Sequence, residues 1–105
     1  MREKEKQSYL KLYGIQHAKL QRLELQMRDI PENAEKYLRQ AQECRELRDK
    51  IERDIESVDG SILSEILCQK FMCGKTLEEI ALRLNYSKRH IERLFISALE
   101  ALVIS

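Results

Sequence analysis

A single proline, Pro31, stands between two long segments that each carry a narrow apolar seam, and this limits the N-terminal half to two helices joined by a tight reversal. Proline lacks a backbone N–H and biases the residue before it, here Ile30, towards extended geometry. The first helix is therefore expected to stop near Arg28 and the second to begin close to Pro31. Before the break, Tyr9, Tyr13, Leu20, Leu23, Met27 and Ile30 fall at steps of three and four residues, interrupted at Gln16. Leu10, Leu12, Ile15 and Leu25 widen this stripe beyond a two-stranded seam, which suits a bundle. After the break the seam resumes through Ala34, Tyr37, Ala41, Cys44, Ile51, Ile55 and Val58, with Arg48 interrupting it. So short a connector folds the pair into an antiparallel hairpin, which either closes on itself or pairs with a second copy.

Charged residues make up 35% of the 105-residue chain and glycine is scarce, a balance that favours exposed helices over sheet. Glu32 with Lys36, Glu35 with Arg39, Glu46 with Lys50 and Asp49 with Arg53 have the four-residue spacing of helix-surface ion pairs. Each such pair contributes roughly 0.2–0.5 kcal/mol, and the run reads as a solvated face. The net charge of +1 excludes a uniformly basic coat, so contact with nucleic acid must come from a local patch. Cys44, Cys68 and Cys73 show no CxxC spacing and no histidine pair, so they read as reduced packing residues, not as a zinc site or disulfide framework. His17 lies on the seam and reads as a packing residue, not a metal ligand. No apolar run approaches the length of a membrane span, and the start Arg2-Glu3-Lys4-Glu5-Lys6 is not an export signal, which places the expected location in the cytoplasm.

The pattern changes at Val58, Asp59, Gly60 and Ser61, where Asp59 or Ser61 can cap a new helix. Residues 1–58 are thus expected to form the hairpin, for self-association or partner binding, and residues 59–105 a separate domain. Within it, Ile62, Leu63, Ile66, Leu67 and Phe71 mark one helix, with Gly74 placed for a left-handed stop. Thr76 and Glu79 have the spacing of a capping box, and Leu77, Ile80, Ala81 and Leu84 give a buried face over about two turns. Asn85 tolerates the positive φ of a tight turn, and Ser87 can cap a third helix with Ile91, Leu94, Phe95, Ala98, Leu99 and Leu102 at helical spacing. Two short helices with a small residue, Ala81, at their crossing make a helix-turn-helix. The expected fold is all-α: an N-terminal antiparallel hairpin, coiled-coil-like, followed by a three-helix helix-turn-helix domain.

The start of the third helix is basic. Lys88, Arg89, His90 and Arg93 lie off the Ile91 and Leu94 face, and Arg83 precedes the turn, with Glu92 the single acid among them. Arginine can bond two acceptors of guanine at once, so Arg89 and Arg93 are the candidates for reading base edges. Ser87, Lys88 and Arg83 suit phosphates, as does His90, while Glu92 can accept from a cytosine amine.

The stretch GKTLEEIALRLNYSKRHIERLFISALEAL resembles region 4 of bacterial sigma factors and the small phage-type regulators that share it. The resemblance covers residues 62–102 and rests on Gly74, Thr76, Leu77, Glu79, Ile80 and Ala81, on the Leu84-x-Tyr86-Ser87 turn, and on Ala98, Leu99 and Leu102. It implies a recognition helix that reads promoter DNA from its first two turns, which by position fall on Lys88, Arg89, Glu92 and Arg93. Gln69 departs from the family, which usually has an apolar residue there, and nothing resembles the sigma segments that bind polymerase or melt the promoter. The expected function is a sequence-specific double-stranded DNA-binding transcriptional regulator of phage or bacterial type, with RNA polymerase a further candidate partner and the N-terminal helices a homodimer surface. The alternative is a protein-interaction module acting on the transcription machinery without direct DNA binding. No phosphate loop, HExxH or GxSxG motif is present, so no enzymatic activity and no cofactor are expected.

Overall fold

The computed structural model, which describes residues 2–105, is all-α and contains no strand among the described residues. In chain order it comprises α1 (Glu3–Asp29), a 3-10 turn (Pro31–Asn33), α2 (Ala34–Glu56), α3 (Ser61–Leu67) continued by a π-helical turn (Cys68–Met72), α4 (Leu77–Leu84) and α5 (Lys88–Ala101). Pro31 opens the 3-10 turn, where its missing N–H costs nothing, and Ile30 leaves helical geometry at φ −130° and ψ 78°. The first helix therefore ends one residue beyond its expected stop.

α1 and α2 run antiparallel, as the cross-helix hydrogen bonds record: Tyr9 meets Asp54, His17 meets Arg48, and Glu24 meets Arg45. At the far end of the hairpin Leu20, Leu23, Ala41 and Cys44 are buried against one another, with Met27 and Tyr37 packed beside them. The apolar seam is thus consumed within the chain. Of the residues that widen it, Leu10 is fully buried, while Ile15 (58% exposed) and Leu25 (50%) remain outside, as does Leu38 (50%) on α2.

The larger core lies at the other end. Leu10, Ile51, Ile55 and Val58 from the hairpin interlock with Ile66, Leu67, Ile80, Ala81, Ile91, Phe95, Ala98, Leu99 and Leu102. The bend after α2 changes the direction of the chain without dividing this core. Neither Asp59 nor Ser61 caps α3, contrary to expectation: the N-cap is Gly60 at φ 103°, with no side-chain cap bond. Glycine reaches that conformation without a Cβ penalty, so backbone geometry sets the turn. The Ser64 hydroxyl then donates to the Ile55 carbonyl at 3.1 Å, tying α3 to the end of α2.

None of the four expected ion pairs on α2 forms among the described residues; Arg39 instead meets Glu43, Arg45 meets Glu24, and Lys50 meets Asp54. Exposed pairs are so weak that side chains take whichever partner lies near, one turn along the helix for Arg39 and across the hairpin for Arg45. Lys50 is drawn to a carboxylate that needs it. Asp54 is 4% exposed, and its Oδ2 accepts from the Tyr9 hydroxyl at 2.6 Å and from Lys50 Nζ at 3.1 Å. Its Oδ1 accepts from the Ser105 hydroxyl at 2.7 Å, and Lys50 also donates to the Tyr9 oxygen at 2.8 Å. Burial alone would push the Asp54 pKa up, but the bonds from Ser105, Tyr9 and Lys50 outweigh it and hold the carboxyl below its usual range. Burial and the bond to Asp54 raise Tyr9, and the bond to Tyr9 raises Lys50.

These shifts set the pH window of stability. The Asp54 contribution is complete above about pH 4 and disappears as pH falls through its lowered pKa. Those of Tyr9 and Lys50 are complete below about pH 10 and are lost as pH rises further. Urea unfolding followed against pH should show both losses. Asp54→Asn should cost about 1–3 kcal/mol at neutral pH and flatten the acid side of the profile.

Candidate nucleic-acid interface

Packed against α5, α3 does not run on as one regular helix to Phe71. It widens into the π-helical turn, closed by the Cys73 N–H bond to the Cys68 carbonyl at 3.1 Å. The turn buries Gln69, whose Nε2 donates to Glu65 at 2.9 Å while its Oε1 has no partner. It also brings Phe71 to 6.1 Å from Phe95 on α5, with Lys70 Nζ above both rings. Burial first, and the Glu65 charge second, push the Cys68 thiol up, which suits a packing role. Gly74, at φ 70°, ends the segment, and the Lys75 N–H bonds back to the Gln69 carbonyl at 3.0 Å.

The capping box of α4 forms as its spacing predicts. Thr76 Oγ1 accepts from the Glu79 N–H at 3.1 Å, and Glu79 Oε1 accepts from the Thr76 N–H at 3.1 Å. That backbone bond holds the Glu79 carboxyl below its usual range. α4 ends at Asn85 in the left-handed region (φ 63°, ψ 42°), and the Tyr86 N–H bonds to the Ala81 carbonyl at 2.9 Å. Ser87 then caps α5, accepting from the His90 N–H at 3.2 Å. With Ile80, Ala81, Ile91 and Phe95 all in the core, the small side chain of Ala81 lets α4 and α5 pack closely.

The expected site residues come out on the surface. Arg83, Ser87, Lys88, Arg89, Glu92 and Arg93 are exposed, whereas His90 is half-buried with its ring 4.9 Å from that of Tyr86. Arg89 and Arg93 are four apart and share a stripe of α5. Among the described residues, no ion pair within 4.0 Å involves Arg83, Arg89 or Arg93. Lys88 differs: its Nζ lies 2.9 Å from Glu78 Oε1 and 4.0 Å from Glu92 Oε1. The hydrogen bond between them raises the Lys88 pKa and lowers that of Glu78. The lysine expected to be free for phosphate is therefore engaged within the chain.

Glu78 is the residue that sequence reasoning missed. It reads as one more acid in the first turn of α4, where negative charge is ordinary, and only the crossing of the helices brings it to Lys88, ten residues on. Among the described residues, no group of three or more His, Cys, Asp or Glu side chains is placed to hold a metal ion. No helix among them is long and apolar enough to cross a membrane. The chain matches no protein-family model, no curated protein and no solved structure.

The left-handed Asn85 makes the turn directly testable. Asn85→Gly should retain stability, whereas Asn85→Ala should cost about 1–2 kcal/mol. In thermal unfolding the alanine variant should melt roughly 4–8 °C lower for each kcal/mol lost.

Proposed function

We propose that this chain is a sequence-specific double-stranded DNA-binding transcriptional regulator of phage or bacterial type, acting in the cytoplasm without enzymatic activity or cofactor. The observation that carries the reading is the set of three exposed arginines, Arg83, Arg89 and Arg93, free of ion pairs around a helix-turn-helix turn. Unpaired guanidinium groups cost less to bring to DNA than paired ones, since no internal contact has to break.

The geometry supports a division of roles. α5 has 14 residues, about 21 Å of helix, which fits lengthwise in a major groove about 12 Å wide. Arg89 and Arg93 are assigned to base edges, Arg83, Ser87 and Lys88 to phosphates, His90 to a phosphate beside Tyr86, and Glu92 to a cytosine amine. One such unit makes few contacts, so tight specific binding calls for a dimer on two half-sites. Because the seam is buried inside the hairpin, a homodimer through the N-terminal helices would use the outer apolar residues Ile15, Leu25 and Leu38. RNA polymerase is proposed as a further partner.

One observation favours a second reading, a protein-interaction module acting on the transcription machinery: Leu82 on α4 is 83% exposed, beside the turn. Salt separates the two, because phosphate contacts weaken steeply as salt rises and apolar interfaces do not. Fluorescence anisotropy with random and genomic duplex DNA should give salt-sensitive binding, and an absence of binding at low salt would favour the second reading. Arg89→Ala and Arg93→Ala should each cost about 1–3 kcal/mol on a specific site and relax its selectivity.

A further inference from the structure

Lys88 is the first residue of α5, and Glu78 is the second of α4, so their 2.9 Å contact spans the two helices of the helix-turn-helix. Both side chains are well exposed, Lys88 at 55% and Glu78 at 69%, and Glu92 approaches the same ammonium from the next turn of α5. The three line one shallow groove with Thr76 and Leu77. A pair this exposed does little for stability, because water screens it. It does govern charge: of the four cations flanking the turn, Lys88 alone makes an ion pair within 4.0 Å among the described residues.

We infer that Glu78 is a positioning residue that lowers phosphate-driven affinity for DNA by withholding Lys88 from the phosphate backbone, an inference that rests on the DNA-binding reading above. For Lys88 to meet a phosphate it must leave Glu78, and the freed carboxylate then faces a polyanion. The gain of one contact is offset by the loss of the other. Non-specific binding depends almost wholly on phosphate neutralisation, so this loss is read directly in it. Base-edge contacts by Arg89 and Arg93 are untouched, so they carry a larger share of the binding free energy.

The test uses the full chain as wild type, Glu78→Gln, Lys88→Ala and the double variant. Anisotropy is read with a random-sequence duplex and with a duplex enriched by in vitro selection on the wild type, between 50 and 200 mM salt. Glu78→Gln should bind the random duplex about threefold or more tightly at low salt and steepen its salt slope by roughly 1. Its affinity for the selected duplex should rise by a similar factor, because a phosphate contact is made alike on every sequence. Lys88→Ala should cost more in the Glu78→Gln background than in the wild type, a dependence that a bracing role would not produce. If Glu78→Gln lowers the melting temperature but leaves affinity and slope unchanged, the pair is only a brace and the inference falls. If Glu78→Gln matches the wild type in every respect while Arg89→Ala still weakens binding, the inference falls and the DNA reading stands. If neither wild type nor Glu78→Gln binds at 50 mM salt, both fall together.

Discussion

The carboxylate of Asp54, 4% exposed, is the contact on which the arrangement of the helices depends. A buried charge is tolerable only with partners on every side, and those partners come from three separate places in the chain. Tyr9 lies on α1, Lys50 one turn back on α2, and Ser105 beyond the end of α5. Satisfying one side chain therefore fixes the start of the first helix, the end of the second and the C-terminal tail together. Lys6 adds a second tie, donating to the Leu99 carbonyl at the end of α5 at 2.7 Å. That contact places a cation at a helix C-terminus, where unpaired carbonyls favour it.

These ties make the hairpin more than an appendage. Leu10, Ile51 and Ile55 share a core with the helix-turn-helix, so α5 is held from below by residues far from it in sequence. The chain is elongated, with extents of 52 × 28 × 21 Å, because the hairpin continues past that shared core to its own smaller cluster around Leu20 and Cys44.

On the opposite surface, local rules govern the turn and tertiary geometry governs the charges. Thr76, Asn85 and Ser87 each satisfy a backbone requirement within a few residues, which is why the turn was legible from spacing alone. The state of each basic residue was not legible. Among the described residues Arg83, Arg89 and Arg93 make no ion pair within 4.0 Å while Lys88 is engaged by Glu78, and the latter contact depends on how α4 crosses α5.

What the sequence determined by itself was every feature decided by neighbours: the break at Pro31, both seams, the capping box of α4, the left-handed Asn85 and the outward-facing basic turn. Hydrogen bonds and apolar periodicity over three or four residues suffice for these, because a helix presents such neighbours in a known direction. The tertiary structure alone decided which charges pair between helices, where Asp54 finds its distant partners, that Gly60 and not Asp59 or Ser61 caps α3, and that the core runs unbroken from the hairpin to α5. It also decided the π-helical turn at Cys68–Met72, where Phe71 meets Phe95. The contacts that tie the helices together join residues ten (Glu78 and Lys88), about fifty (Asp54 and Ser105) and more than ninety (Lys6 and Leu99) positions apart. For weak surface pairs between helices the partner is set by distance in space, which only the packed chain defines.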